Sequence, residues 1–282
     1  MDAAERYLDR VQHLPPARSI LARMAVLMSD PNRDMDNVAE LISYDPALTA
    51  EVLKRSNSAF FRGSEHARDA SEAVSRLGFN EVQHVVSTLS GSHTPIQPLS
   101  ETLDPDNLWR HSLRTAVTAA ALSSITHESE TAAFTAGLLH DVGKLVFGSL
   151  EPSVYAKLLA ESAASGTTIS HVEAATWGLT HAELGSRLLS RWGLPPNITL
   201  VIFSHHSSPM EAAPFECLAA MIQVSNRWAK RTMEQRMIPV APSFLTSEEH
   251  GLLGIEFAEI QSAFDQGSER LHQIGNVLDT SL

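Results

Sequence analysis

The chain has 282 residues, 43% of them hydrophobic, enough for a sizeable core and too many for a disordered polypeptide. Its 21 Lys and Arg stand against 33 Asp and Glu, and the formal charge of -12 opposes the phosphate attraction on which direct nucleic-acid binding rests. One cysteine, Cys217, rules out an intramolecular disulfide. No run reaches the ~18 apolar residues of a membrane span, and the start Met1-Asp2-Ala3-Ala4-Glu5 is unlike a signal peptide, so a soluble cytoplasmic protein is expected.

Apolar residues recur at three and four throughout, with no alternating strand of useful length, which predicts an all-α fold of two helical lobes. Residues 1–90 read as an N-terminal lobe, in which Asp45-Pro46 places a capping carboxylate before a proline at the first helical position. The stretch from Ser90 to Asp106 is rich in turn formers, and residues 91–106 are read as a linker. Residues 107–230 form the second lobe. Ser170/Glu173 and Thr180/Glu183 both have capping-box spacing, so both glutamates are read as structural, and Gly193 before Pro195-Pro196 marks a helix stop. The segment from Ile238 to Ser243 precedes C-terminal helices over 231–282, where Phe257, Ile260, Phe264, Leu271 and Ile274 make an apolar stripe read as core packing.

The feature most able to carry chemistry is His140-Asp141, inside the apolar run Ala136-Gly137-Leu138-Leu139-His140-Asp141-Val142-Gly143-Lys144-Leu145. An imidazole and a carboxylate side by side in such a run are costly to bury unless something pairs with both, and a metal ion would. His111 lies on the preceding long helix, His181 opens a helix, and His205-His206 closes another. The order His, His-Asp, His, His-His supplies six nitrogen or oxygen ligands from four segments. Lys144 follows His140 by four residues, on the same helical face, where its ammonium can hold a substrate phosphate oxygen. His13, His66, His84, His93, His127, His171, His250 and His272 are read as ordinary surface or core histidines, and Cys217 as a thiol on a helix.

These residues resemble the HD superfamily of metal-dependent phosphohydrolases, and the two lobes together resemble the HDOD family of bacterial signalling proteins. The N-terminal part of the likeness is Leu14-Pro15-Pro16, Ile42-x-x-Asp45-Pro46-x-Leu48, Val52-Leu53, Asn57-Ser58-x-Phe60 and Ala73-Val74-x-x-Leu77-Gly78. It continues through Leu188 to His206 with Trp192-Gly193-Leu194-Pro195, covering roughly residues 10 to 230. The resemblance implies a compact helical fold and a role in signal transduction. It implies metal ligands at His111, His140, Asp141, His181, His205 and His206, with Asp141 able to bridge two ions. The closing aspartate of the HD set is replaced by Asn226, a neutral amide that is a poorer ligand for a hard cation. A related phosphodiesterase branch uses histidines like His181, His205 and His206 for a second ion, but its glycine-tyrosine-proline motif is absent after His206, where Ser207-Ser208-Pro209 stands.

Three functions remain open on the sequence. The first is a regulatory module that binds a metal or a phosphorylated small molecule and signals to a protein partner. The second is an active metal-dependent phosphohydrolase in which Asp141 and Lys144 are catalytic. The third is a catalytically dead scaffold. Mixed imidazole and carboxylate ligation suits one or two ions of manganese, iron, nickel or zinc. Neither a nucleic acid nor a membrane is expected as a direct partner.

Overall fold

The computed structural model describes residues 2–30, 34–61, 63, 65–91, 104–234 and 244–278. Most of the linker expected at 91–106, His93 and the segment 238–243 lie outside the described residues. Among the described residues every regular element is helical: α1 Ala3–Leu8, α2 Arg18–Ser29, α3 Met35–Ser43, α4 Pro46–Ser56, α5 Ala70–Gly91, α6 Pro105–Thr126, α7 Glu130–Leu139, α8 Val142–Leu150, α9 Pro152–Ser165, α10 Ile169–Trp177, α11 His181–Arg191, α12 Pro196–Ser204, α13 Glu216–Glu234, α14 Ser247–Leu253 and α15 Phe257–Leu278, with a 3-10 turn at Pro209–Ala212. By compactness the chain falls into two units, each discontinuous in sequence: Met1–Trp109 with Asp141–Pro195, and Arg110–His140 with Pro196–Leu282.

In the first unit, α3, α4 and α5 pack together, α8 lies on α9 and α11, and α1 rests on α8 and α11. Asp45 organises the entry to α4. One carboxylate oxygen accepts from Leu48 N at 2.8 Å as the N-cap, and the other accepts from Ala17 N at 2.8 Å, fixing the start of α2. Asn57 makes a second clamp: Oδ1 accepts from Ala67 N at 2.7 Å while Nδ2 donates to the carbonyls of Ala67 and Gly193. Gly193 itself has φ 79 and closes α11, with Leu194 N donating to Leu189 O, which is the stop expected there. Helix α8 crosses α11 at close range. Gly143 and Gly185 face each other there, and a Cβ on Gly143 would lie 2.0 Å from His181 O.

In the second unit, α7 is buried over Ala132 to Leu139 except for Phe134, apolar on nearly all sides as a central helix must be. Gly137 lets it approach α6, since a Cβ there would lie 2.7 Å from Ala116 Cα. Helix α12 packs on α7 and α13, and α13 packs on α14. The C-terminal stripe is core: Ile260, Phe264, Leu271 and Ile274 are buried, Phe257 is half-buried, and the Phe264 ring stacks on Trp228 at 4.4 Å. No helix of the described residues is long and apolar enough to cross a membrane.

Candidate metal centre

The first unit brings Asp141, Lys144 and His181 together around two helix starts. Asp141 is the N-cap residue of α8, yet its side chain makes no capping bond. Its carboxylate turns to other partners: Oδ2 accepts from Lys144 Nζ at 2.6 Å, and Oδ1 lies 3.2 Å from His181 Nε2. His181 is the first residue of α11, set by the Thr180 cap, which accepts from Glu183 N. Behind it sits Glu173. That carboxylate accepts from His181 N at 2.8 Å, contacts His181 Nδ1 at 2.6 Å, and receives the Tyr155 hydroxyl at 2.7 Å. Asp141, His181, Glu173 and Tyr155 are each at most 1% exposed.

The second unit brings together His111, His140, His205 and His206. His111 Nε2 lies 3.2 Å from His140 Nε2. The His140 and His205 rings stand edge to face at 5.1 Å, and His205 and His206 are 4.0 Å apart between centroids. His140 caps the C-terminus of α7 and its Nδ1 meets Gly137 O at 2.7 Å, while His205 follows α12 and its Nδ1 meets Ile202 O at 2.6 Å. A carbonyl can only accept, so both Nδ1 atoms carry the proton, and in the neutral ring each Nε2 presents a lone pair.

The donors fit a metal ion. His140, His181 and His205 each have Nδ1 tied to an oxygen, the arrangement that fixes ring orientation and leaves Nε2 to coordinate. Two donors bound to one ion at about 2.1 Å stand roughly 3.0 to 3.4 Å apart, and the His111–His140 and His181–Asp141 separations are both 3.2 Å. Within the second unit His111 and His140 form one such pair, and within the first unit Asp141 and His181 form another. Burial, the largest single influence, pushes the His181 imidazole down, but the Glu173 charge and the hydrogen bonds to Asp141 and Glu173 together hold its pKa above the ordinary value. Glu173 is itself held below the usual carboxylate range: burial pushes it up, and the His181 charge and hydrogen bonds prevail.

All six expected ligands and Lys144 are found in these two clusters, and the His140-Asp141 peptide bond joins one cluster to the other. His206 alone among the ligands is exposed. Of the histidines read as ordinary, every described one is exposed or half-buried. Asn226 is 3% exposed, and its Oδ1 has no hydrogen-bond partner among the described residues. One expectation is corrected. Glu173 is no capping-box partner, because α10 starts two residues earlier than Ser170 implies, with Thr168 as its cap. That places Glu173 inside the helix and free to serve His181. The sequence signal was a carboxylate flanked by Val172, Ala174 and Ala175, where an acid needs a buried partner.

An all-helical chain with buried histidine and aspartate clusters at helix ends has the architecture of an HD-like helical protein. Residues 14–208 match the HDOD domain family, and the chain belongs to it. Among curated proteins it is similar to an uncharacterized protein of Treponema pallidum, 29% identical over 220 residues, 77% of this chain and 42% of that one. The chain spans less than half the length of the curated relatives it matches. Among solved structures it is similar to the MmoQ response regulator of Methylococcus capsulatus, with a TM-score of 0.72 and 22% identity over 87% of this chain and 99% of that one. A virulence factor of Campylobacter jejuni also superposes with a TM-score of 0.72, at 19% identity over 96% of this chain and 97% of that one. At these identities the likeness is one of fold.

Proposed function

We propose that this chain is a cytoplasmic signalling module of bacterial type that holds one or two transition-metal ions and, through them, a phosphorylated small molecule. We propose His111, His140, Asp141, His181, His205 and His206 as the ligands, with Asp141 able to bridge two ions. The observation that carries this reading is the set of Nε2 donors whose Nδ1 atoms are already tied, two of them 3.2 Å from another donor. Imidazole with carboxylate favours manganese, iron, nickel or zinc. The neutral Asn226, where the HD resemblance expects a carboxylate, leaves the His111 ion with less charge compensation. Ligand occupancy is then the input, and a protein partner bound to the N-terminal lobe is the output. We also propose residues 1–90, 107–230 and 231–282 as the functional segments, with 91–106 linking the first two.

The test is metal content by mass spectrometry on tag-free protein, beside a His140→Ala/Asp141→Ala variant. The expected result is about one to two ions per chain in the wild type and a loss of metal in the variant. A wild type without metal after supply of each of the four ions would overturn the reading.

Lys144 favours a second reading, a phosphohydrolase. It is 8% exposed and its ammonium lies 2.6 Å from Asp141. A bound ion would supply Lewis acidity and a water of lowered pKa. Asp141 would orient that water and Lys144 would hold the charge developing on a phosphoryl oxygen. Turnover of a generic phosphoester by the metal-loaded wild type, lost in Lys144→Met with metal retained, is the expected result. No turnover with any of the four metals would leave the regulatory reading alone.

A further inference from the structure

We propose that Arg114 reads the phosphoryl group of a phosphate-ester ligand at the proposed metal centre, an inference that rests on that centre being real. On α6, Arg114 follows His111 by three residues and Arg110 by four, so it is turned by about 60° from the first and about 40° from the second. Helical side chains lean toward the N-terminus, which carries the Arg114 stem back over the turn bearing Arg110 and His111. His111 in turn has Nε2 3.2 Å from His140 Nε2. Arg114 and His111 thus stand on successive turns of one helix.

The surroundings of Arg114 point to a missing anion. Arg114 Nε is buried and has no hydrogen-bond partner among the described residues. Burial, and then the charge of Arg110, hold the Arg114 pKa below its ordinary value, and no carboxylate among the described residues opposes them. One turn further along the same face, Thr118 is 2% exposed and lies under α15, where a Cβ on Gly267 would meet Thr118 Cα at 3.3 Å. Arg110 and Arg114 are both half-buried, so the cover stops at the turn that carries the two cations. In a chain of net charge -12, a cation drawn partly out of water without a carboxylate is unfavourable until an anion arrives. A phosphate offers the planar, two-oxygen face that a guanidinium fork matches and an ammonium does not. Arg110 adds positive charge beside it. The ligand class this selects is a phosphate ester with at least two free oxygens on one phosphorus.

The experiment is calorimetric titration of phenyl phosphate into manganese-loaded wild type, Arg114→Gln and Arg114→Lys, with manganese affinity measured separately on each protein. Arg114→Gln is expected to weaken phenyl phosphate roughly ten- to a hundredfold while manganese affinity stays within about twofold, and Arg114→Lys to recover part of the loss. Should Arg114→Gln fail to fold, Arg114→Lys decides, with a weakening of at least several-fold expected from loss of the fork. Equal phenyl phosphate affinity in wild type and the folded variants, all with manganese bound, overturns the role of Arg114 and leaves the metal centre intact. A wild type that binds no manganese overturns the metal centre instead; phosphate binding that still depends on Arg114 would then support the arginine, and its absence would end both.

Discussion

Replacing Gly143 with alanine should loosen the metal centre without removing a ligand. A Cβ at Gly143 would lie 2.0 Å from His181 O, 2.8 Å from His181 C and 2.9 Å from His181 Cα, all backbone atoms that no rotamer change can move aside. An ordinary carbon-to-oxygen contact is about 3.3 Å or more, so α8 and α11 would have to part by roughly 1 Å. Asp141 precedes Gly143 by two residues and His181 is the contacted residue itself, so the separation falls on the 3.2 Å gap between Asp141 Oδ1 and His181 Nε2. Overpacking of this kind costs about 1 to 3 kcal/mol. Donors must be held within about 0.5 Å, so manganese affinity should fall roughly ten- to a hundredfold. Gly178→Ala is the control. That residue closes α10 at φ 63 with nothing within 4 Å of an added methyl, and its strain should cost about 1 kcal/mol with no effect on metal. Urea denaturation and manganese calorimetry on both variants measure the two effects. Gly143→Ala protein that binds manganese as tightly as Gly178→Ala would refute the argument that this glycine sets the ligand geometry.

Glu173→Gln leaves His181 Nδ1, His181 N and the Tyr155 hydroxyl facing one neutral acceptor in place of a carboxylate; stability should drop by about 2 to 4 kcal/mol and manganese affinity by roughly tenfold or more, whereas Tyr155→Phe should cost about 1 to 2 kcal/mol with a smaller change in metal binding, both read by urea denaturation and calorimetry. Asn226→Asp adds a charge at a buried site whose oxygen now lacks a hydrogen bond, so apo stability should fall while manganese affinity rises at least several-fold; weaker manganese binding would place Asn226 outside the coordination sphere. Burial pushes Asp45 up from 3.8 to about 6 against hydrogen bonds from Ala17, Leu48 and Ala47, with Asp106 adding to the rise. The folded state thus holds this proton more tightly than the unfolded chain, so the contribution is fully present below pH ~4 and is lost as pH rises toward 6, by at most about 3 kcal/mol. Asp45→Asn should flatten that part of the stability curve, and parallel wild-type and variant curves between pH 4 and 7 would contradict the assignment.

The helical class was legible because the apolar spacing of α3, α11 and α15 needs no tertiary information, and so were the Asp45 cap and the Gly193 stop, each fixed by a few neighbouring residues. The proposed ligands could be named because their order along the chain repeats a known pattern. Glu173 could not, since its role depends on Tyr155 and His181, 18 residues before it and 8 after. Its local spacing to Ser170 suggested a cap, but Thr168 offers the same chemistry two residues earlier, and spacing cannot rank the two. The grouping of residues into compact units was hidden for a related reason. Turn-rich stretches mark where a chain can bend, and one boundary does fall at Pro195-Pro196, but the other two fall at Trp109-Arg110, inside α6, and at His140-Asp141, inside an apolar run.

Asp141 shows how such sites betray themselves in three dimensions. Aspartate at an N-cap normally turns its carboxylate onto the first free backbone N–H groups, gaining about 1 kcal/mol. Here the position is right and the bond is absent, so the helix forgoes that gain while the carboxylate faces Lys144 and His181. Glu173 makes the matching choice, leaving the surface of its helix to hold an imidazole. Residues that decline the local role their sequence equips them for are held by something else, and the ring of His181 is a partner in both cases, beside Lys144 for Asp141 and the Tyr155 hydroxyl for Glu173. The proposed metal binding would favour both choices, because one ion could take the Asp141 oxygen and the His181 nitrogen that face each other at 3.2 Å.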